Sequence, residues 1–290
     1  MLLLSGTLPF SLDSLVVGRV GFDGASITVG QARIPGRYMT IGATAMIAAA
    51  HETAKALGTE LPSCVLATDT GDGVGSRLVY RYLAEEAGGL GPSTLTVHYV
   101  LPLRNEFMEF VEMADYWSRR PFLIADAGAL LIAKATRLCK SFDLFTPDAG
   151  EMAFLADADA GHPAYVKASL FEVDTTQVPG LIARAEEAGN LPEYLLVKGP
   201  VDFVAKGGKV QLTVSEPNVP AMEAIGGTGD TVTGIVSALV AGGIEPVRAC
   251  HLGLKANRLA GKMCNPTPAT SVFEIVRQIG KAVKSTVDNS

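Results

Sequence analysis

Short apolar runs alternate with longer amphipathic segments through most of the chain. The apolar runs have the length and β-branched content of buried strands, at residues 63–67, 94–101, 121–126, 142–145 and 194–197. The segments between them repeat their apolar positions at helical spacing, at residues 76–87, 106–119, 130–139, 148–155 and 181–188. Strands that alternate with helices favour right-handed crossovers and a mainly parallel sheet covered on both faces. The pattern therefore predicts an α/β fold.

Three parts of the chain depart from this alternation. Residues 1–36 are rich in glycine and turns, which predicts short strands that form either a small β appendage or the edge of the sheet. Residues 199–214 alternate around Gly207 and Gly208, which is typical of a β-hairpin. Small residues predict a helix over 41–57 that ends at Gly58, and two final helices are predicted at 247–263 and 272–283.

A glycine-rich turn precedes a helix at residues 223–243, which read EAIGGTGDTVTGIVSALVAGG. The glycines can adopt positive φ and turn amide N–H groups toward an anion, and the helix N-terminus that follows favours a phosphate. Asp230 ends the turn, where a carboxylate could accept a proton from a nucleophile that attacks this phosphate. The alternative is that Asp230 only caps the helix, for which Gly242 or Gly243 is the predicted end.

Two carboxylates three residues apart stand in the motif TPDAGE at residues 146–151. Asp148 as N-cap and Glu151 at the third helical position would form a capping box without any ligand. The same two carboxylates could instead hold a magnesium ion that bridges nucleotide phosphates. Both interpretations can be true together.

Other polar residues follow predicted strands, where ligands of open parallel sheets collect. Asp126 is expected to be either a substrate contact or the cap of the next helix, and Lys198, which precedes Gly199, is either a ligand contact or a solvated strand end. The loop at 70–76, TGDGVGS, does not match the dinucleotide motif GxGxxG, because Ser76 stands in the last position. It is expected to be a substrate loop that uses Asp69 or Asp72, or simply a turn.

The composition is typical of a compact enzyme without a nucleic-acid or membrane partner. The 290 residues are 48% hydrophobic and 19% charged, as in a compact enzyme, and we expect one α/β domain over residues 1–290. The net charge of −6 and the lack of a basic block argue against a nucleic-acid partner. Four cysteines without a CxxC pair indicate reduced thiols, and the four histidines lack metal-binding spacing. The N-terminus lacks the basic region of a signal peptide and the apolar run at 41–50 is too short to span a bilayer, so we expect a cytoplasmic protein without a membrane partner.

The order TPDAGE, LLVKG, hairpin, GGTGDTVTGIVSALVAGG and ANRLAG resembles the ribokinase-like superfamily. Within it, the chain is most similar to the ADP/ATP-dependent NAD(P)H-hydrate dehydratases, which are carbohydrate-kinase-like proteins. The resemblance covers about residues 122–283 and implies a three-layer α/β/α fold. The chain departs from the family's usual residues at Asp148, where Asn is common, and at Gly128, where a second Asp is common.

The resemblance also implies roles for individual residues. Asp230 would be the catalytic carboxylate, with Gly227, Thr228 and Gly229 as the anion hole for the transferred phosphate. The remaining implied roles are a magnesium and phosphate network, a nucleotide site and a substrate contact. These fall on Glu151 with Asp148, on Lys198, Gly199 and Asn257, and on Asp126.

Three functions are compatible with these motifs. The first is dehydration of hydrated NADH or NADPH, in which ATP or ADP with Mg²⁺ phosphorylates the ring hydroxyl and phosphate is then eliminated. The second is a small-molecule kinase that stops after phosphoryl transfer to a sugar, vitamin or nucleoside. The third is a nucleotide sensor without catalysis. A small-molecule substrate and a nucleotide are the expected partners, and the resemblance implies self-association into a homo-oligomer.

Overall fold

The structure is a computed structural model, and it describes residues 1–10, 12, 14–36, 42–161 and 175–289. The strands are β1 (Leu2–Leu8), β2 (Val16–Phe22), β3 (Ser26–Val29), β4 (Ala32–Pro35), β5 (Ser63–Thr68), β6 (Thr94–Val97), β7 (Phe122–Ala125), β8 (Leu144–Phe145), β9 (Tyr194–Val197), β10 (Asp202–Lys206) and β11 (Lys209–Val214). The α-helices are α1 (Ala43–Leu57), α2 (Val74–Glu85), α3 (Arg104–Asp115), α4 (Gly128–Thr136), α5 (Ala149–Ala156), α6 (Val178–Glu187), α7 (Thr228–Ala241), α8 (Pro246–Cys264) and α9 (Val272–Asp288).

All these strands belong to one sheet, in the order β11-β10-β9-β8-β7-β6-β1-β5-β2-β3-β4. The central strands from β9 to β5 run parallel, and antiparallel strands extend the sheet at both edges. Helices α2 to α6 pack on one face and α1, α7, α8 and α9 on the other. The side chains of β1 alternate between the two layers, since Leu3 contacts the first and Leu2 and Leu4 the second. The predicted three-layer α/β/α fold is confirmed.

The N-terminal segment divides between two parts of the sheet. Strands β2, β3 and β4 form an antiparallel edge, as predicted for residues 1–36. Strand β1, in contrast, lies at the centre between β5 and β6. Its sequence LLLSGTL is almost fully buried, because a central parallel strand is covered on both faces.

The predicted hairpin and the predicted ends of α1 and α7 are confirmed. Strands β10 and β11 pair antiparallel around Gly207 and Gly208, both of which have positive φ. Helix α1 ends at Gly58 in the left-handed conformation, and α7 ends at Gly242. The strand predicted over 94–101 is shorter, because β6 ends at Val97 and Tyr99 leaves the extended conformation with φ 48°.

Helices α1 and α7 lie in close contact because their facing residues are small. A Cβ atom on Gly234 would lie 2.1 Å from the carbonyl oxygen of Met46, so the backbones approach each other as only glycine allows. Both helices begin at the same edge of the sheet, where the backbone N–H of Gly42, the N-cap of α1, reaches the Asp230 carboxylate. None of the helices described has the length and apolar character that a bilayer span requires.

Candidate active site

The predicted site residues meet at the carboxyl ends of the parallel strands. A cavity of about 500 Å³ opens there, beside the N-terminus of α7. Nine of the predicted residues line it, namely Asp126, Asp148, Glu151, Lys198, Gly199, Thr228, Gly229, Asp230 and Asn257. Gly227 is the N-cap of α7 and adjoins this lining. The predicted residues that follow the strands therefore share one cavity.

Asp126 follows β7 and is 1% exposed. Its two oxygens each accept a hydrogen bond of 2.9 Å from the Lys198 ammonium, and Oδ2 also accepts one of 2.6 Å from the Thr233 hydroxyl. Burial alone would raise the pKa of this carboxyl, but Lys198 and His98 outweigh it and hold the pKa well below its usual range. Asp126 Oδ1 also accepts a hydrogen bond of 2.9 Å from the Ala127 N–H, but Ala127 is the N-cap of α4 and no side chain caps this helix, so Asp126 is not its cap.

Lys198 is not a solvated strand end. Its side chain is 12% exposed, and its ammonium lies between Asp126 and the first turn of α7. A Cβ atom on Gly229 would stand 3.7 Å from the Lys198 Nζ. Burial disfavours the charged lysine, but the charges of Asp126, Glu151 and Asp230 outweigh it and raise its pKa. A permanent positive charge therefore stands beside the glycine turn.

His98 follows β6 and is the site residue that the sequence reasoning missed. Its fully buried imidazole places Nε2 2.8 Å from Asp230 Oδ1 and 3.3 Å from Asp126 Oδ2. Burial lowers the pKa of the ring, but the two carboxylates outweigh it and raise the pKa to about 9, which favours the imidazolium at neutral pH. The contacts are ion pairs by distance, because neither ring nitrogen meets a described residue with hydrogen-bond geometry. The sequence pattern predicted a strand over 94–101 and so placed His98 inside it. The structure ends β6 at Val97, which puts His98 at the strand end beside Asp126 of the neighbouring strand β7.

Asp230 lies in the first turn of α7 with its carboxylate directed to other elements. Its Oδ2 accepts a hydrogen bond of 3.2 Å from the Gly42 N–H, and its Oδ1 faces His98. Helix α7 has no side-chain capping bond, so the capping alternative for Asp230 is wrong. Gly227 adopts the left-handed conformation with φ 99°, which glycine permits. The Thr228 N–H makes a long bond of 3.5 Å to the Ile225 carbonyl, and the N–H groups of Gly229 and Asp230 lie in the first turn, where a helix supplies no acceptor. This turn has the chemistry of an anion site with a carboxylate at its edge.

Asp148 and Glu151 form the predicted capping box of α5. The Glu151 N–H donates to Asp148 Oδ1 over 2.8 Å, and the Asp148 N–H donates to Glu151 Oε2 over 2.9 Å. Burial and the charge of Asp126 raise the pKa of Glu151 to about 8 although Lys198 opposes them. The cap leaves both residues on the cavity wall, so it does not exclude a metal-binding role.

The charge balance of the cavity fits a divalent cation. Four acidic side chains line it, from Asp126, Asp148, Glu151 and Asp230, while Lys198 and the buried His98 place positive charge against Asp126 and Asp230. The raised pKa of Glu151 favours its protonated form at neutral pH, and a bound cation would favour its carboxylate. The donor atoms of His98, Asp126 and Asp230 all lie within 4.8 Å of one another, but the imidazolium already supplies the positive charge between those two carboxylates. Oxygen donors from Glu151 and Asp148 are the ligands that Mg²⁺ prefers.

Asn257 and Arg258 of α8 fix the far side of the cavity. Asn257 accepts a hydrogen bond of 2.7 Å from the Thr231 hydroxyl and donates one of 3.2 Å to the Thr228 carbonyl. The Arg258 guanidinium bonds Asp202 at 2.8 Å and the carbonyls of residues 199 and 200 at 3.0 and 2.9 Å. Helix α8 thereby holds both the first turn of α7 and the turn after β9 in place.

Asp69 and Asp72 do not line this cavity. The Asp69 carboxylate accepts four hydrogen bonds from its own loop, from the backbone of Gly71, Gly73 and Ser76 and from the Ser76 hydroxyl. These bonds outweigh the effect of burial and lower its pKa. Asp72 accepts from the Val74 N–H. The two residues organise the turn before α2, and their substrate role stays a prediction.

Comparison with known proteins assigns the family. The sequence model of the NAD(P)H-hydrate dehydratase family matches residues 102–277. An uncharacterized protein of Methanocaldococcus jannaschii is 39% identical over 219 residues, which cover 76% of this chain and 90% of that one. The ADP-dependent (S)-NAD(P)H-hydrate dehydratase of Xanthomonas campestris is 32% identical over 57% of this chain and 52% of its own. The chain thus spans about half the length of that dehydratase.

Solved structures with the same fold are more distant in sequence. Pyridoxal kinase of Staphylococcus aureus in complex with ADP superposes with a TM-score of 0.55 at 14% identity, over 90% of this chain and 87% of that one. Phosphofructokinase-2 of Escherichia coli in complex with fructose-6-phosphate gives 0.52 at 15% identity, over 96% and 98%. At this identity the likeness shows a shared fold alone. Because the family match covers more than half of the chain, the chain belongs to the NAD(P)H-hydrate dehydratase family.

Proposed function

We propose that this protein is a nucleotide-dependent dehydratase that restores NADH or NADPH from its hydrate. The observation that supports the proposal best is the position of Asp230. Its carboxylate stands in the first turn of α7, beside the glycine turn that fits a phosphate, and is held by His98 and Gly42. Membership of the dehydratase family, with relatives named as ADP-dependent, supports the choice of reaction.

The first step is phosphoryl transfer to the ring hydroxyl. The hydroxyl oxygen attacks the terminal phosphorus of the nucleotide, and its proton passes to the Asp230 carboxylate. The bond between that phosphorus and the bridging oxygen breaks, and the electron pair leaves with the shortened nucleotide. The amides of Gly227, Thr228 and Gly229 stabilise the charge on the transferred group.

The second step is elimination. The bond between the ring carbon and the phosphate oxygen breaks, and phosphate leaves with the electron pair. A proton leaves the neighbouring ring carbon for the departing phosphate, and the electron pair of that C–H bond forms the double bond of the dihydronicotinamide. No net oxidation occurs, so the reaction consumes one nucleotide and needs no redox partner.

The other predicted residues bind the nucleotide and the magnesium ion that neutralises its phosphates. Glu151 and Asp148 would hold Mg²⁺, which neutralises phosphate charge when bound. Lys198 with Gly199 approaches the phosphates, and Asn257 borders the base. The buried free thiols of Cys64, Cys139 and Cys250 fit a reducing compartment, and we infer that the enzyme acts in the cytoplasm.

The test is recovery of NADH from its hydrate. Purified protein is incubated with hydrated NADH, Mg²⁺ and either ADP or ATP, while the NADH absorbance band and phosphate release are followed together. We expect recovery with equal phosphate release in the presence of one of the nucleotides. If neither nucleotide supports recovery, the protein is not a dehydratase of this kind.

A small-molecule kinase is the second candidate. The fold shared with pyridoxal kinase and phosphofructokinase-2 favours it, because the phosphoryl-transfer step is common to both reactions. Nucleotide consumption with a hydroxyl compound, without recovery of NADH from the hydrate, would favour this candidate. Nucleotide binding without consumption would leave only a sensor. Association into a homo-oligomer remains a prediction.

A further inference from the structure

Backbone strain is concentrated around the catalytic carboxylate. Four described residues other than glycine have positive φ, and two of them, Arg137 and Asn265, are ordinary C-caps of α4 and α8. The other two lie at the site. Tyr99, with φ 48°, directly follows His98, and Ala127, with φ 49°, directly follows Asp126. A bulky aromatic residue rarely adopts this conformation, which costs on the order of 1–3 kcal/mol. The position of the Tyr99 side chain is therefore enforced by its surroundings.

The surroundings of Tyr99 show how it is held. Its carbonyl oxygen accepts hydrogen bonds from the backbone N–H and the hydroxyl of Thr7, at the end of β1. Its ring meets the His98 ring edge-on, with 4.4 Å between the centroids. A Cβ atom on Gly42 would lie 3.2 Å from the Tyr99 ring, so the N-terminus of α1 touches the ring as well.

The ring nevertheless remains open to the cavity. Tyr99 is 44% exposed and lines the cavity with Asp126 and Asp230. Within the described residues, the other exposed large apolar side chains lie outside this lining; they are Val74, Leu90, Met108, Met113, Tyr116, Val210 and Met263. An aromatic ring fixed on two sides and open on the cavity side offers a stacking surface for another ring.

The sheet order separates this surface from the nucleotide side. Tyr99 follows β6, whereas Lys198 and Gly199 follow β9, three strands away. At about 4.8 Å between neighbouring strands, the ends of β6 and β9 are about 14 Å apart. Asp126 follows the intervening strand β7, and His98 connects it to Asp230. The strand ends therefore leave room for a phosphate between a nucleotide at Gly199 and an acceptor at Tyr99, and the Lys198 ammonium, bonded to Asp126, lies between them.

From this arrangement we propose that Tyr99 binds the hydroxylated heterocyclic ring of the acceptor by stacking against it. The inference rests on the proposed function, since the hydrated nicotinamide ring is the acceptor of that reaction. It adds the residue and the contact that recognise this ring.

The experiment compares Tyr99→Gly, Tyr99→Phe and Tyr116→Gly with the unchanged protein. Tyr99→Gly removes the ring and also relieves the left-handed backbone, which offsets the lost packing of the ring on His98 and Gly42. Tyr116 is 75% exposed and outside the cavity, which makes its variant a matched control. KM for hydrated NADH, the calorimetric Kd of NADH and the calorimetric Kd of the nucleotide are measured for each protein.

We expect Tyr99→Gly to raise KM for the hydrate and Kd of NADH by about tenfold and to leave the Kd of the nucleotide unchanged. Tyr99→Phe should restore most of the lost affinity, and Tyr116→Gly should match the unchanged protein. If the unchanged protein turns over the hydrate and Tyr99→Gly does so with the same KM, the inference is wrong while the proposed function stands.

If the unchanged protein does not turn over the hydrate, the proposed function fails, and binding of NADH decides the inference separately. Weaker binding by Tyr99→Gly would still support it. Equal binding by both proteins, or no binding by the unchanged protein, would overturn it.

Discussion

The imidazole of His98 bridges two carboxylates, with Nε2 2.8 Å from Asp230 Oδ1 and 3.3 Å from Asp126 Oδ2. Asp126 in turn bonds Lys198 through both of its oxygens. A chain of alternating charges thus runs from Lys198 through Asp126 and His98 to Asp230. His98 therefore positions the carboxylate that accepts the proton in the proposed reaction.

Replacement of His98 by Gln should lower kcat by about 100-fold, because the unheld Asp230 carboxylate leaves its productive position. Nucleotide affinity should change little, since His98 does not line the cavity. His51 provides the control, because it is also buried and has Nδ1 3.1 Å from Glu52 Oε1, away from the site. Steady-state kinetics of both Gln variants, with a calorimetric Kd for the nucleotide, test this. Equal losses in the two variants would mean that His98 has only a structural role.

The stability contributed by the His98 ion pairs should depend on pH. The folded-state pKa of about 9 is raised above the ordinary 6.5, so the contribution is complete below pH 6.5 and is lost as pH rises through 9. The difference in unfolding free energy between the unchanged protein and His98→Gln should fall by about 3 kcal/mol over this range. Glu151, whose pKa is raised to about 8, titrates in both proteins and largely cancels in the difference. Urea titrations at several pH values measure it, and a difference independent of pH would contradict the assignment of an imidazolium.

Replacement of Lys198 by Gln should destabilise the fold and weaken nucleotide binding. Asp126 is buried, and loss of a buried charge partner typically costs about 3 kcal/mol. Lys140→Gln is the matched control, because the Lys140–Glu186 pair is exposed and such pairs contribute less than about 1 kcal/mol. Chemical denaturation gives the loss of unfolding free energy for each variant. Similar small losses in the two variants would show that Asp126 does not depend on Lys198.

The contact between α1 and α7 should not tolerate a methyl group at Gly234. Gly234→Ala would place its Cβ 2.1 Å from the Met46 carbonyl, push α1 away and cost about 2 kcal/mol or more. Because α1 carries the Gly42 N–H that binds Asp230, kcat should also fall. Gly180→Ala in α6 meets only the end of the Arg184 side chain and should be neutral or stabilising by up to about 1 kcal/mol. A thermal melt that shows no difference between the two variants would contradict this packing.

Local patterns in the sequence were sufficient for most of the architecture. Helical and strand periodicity located the βα units, and turn chemistry located the hairpin at Gly207 and Gly208. The central place of β1 was not predictable in the same way, because strand order depends on pairing with β5 and β6, which are distant in the chain. The leucine-rich sequence of β1 shows that the strand is buried on both faces, but this pattern is the same for any interior position in the sheet.

The candidate site was predictable where one short motif carries the chemistry. Glycines before a helix with Asp230 in its first turn indicate phosphate chemistry without knowledge of the fold. His98 and Tyr99 carry no such motif, and their importance comes from neighbours such as Asp230 and Thr7, which lie far away in sequence. The left-handed conformation of Tyr99 also contradicts the extended conformation that its sequence predicts.

In the proposed reaction Asp230 is the base of a dehydration that consumes a nucleotide. Its claim to this role is tested by NADH recovery and phosphate release from hydrated NADH, Mg²⁺ and ADP or ATP, measured with the unchanged protein and with Asp230→Asn. We predict recovery with equal phosphate release for the unchanged protein and a loss of at least about 100-fold for the variant. No recovery with the unchanged protein, or equal recovery with both proteins, would contradict the claim.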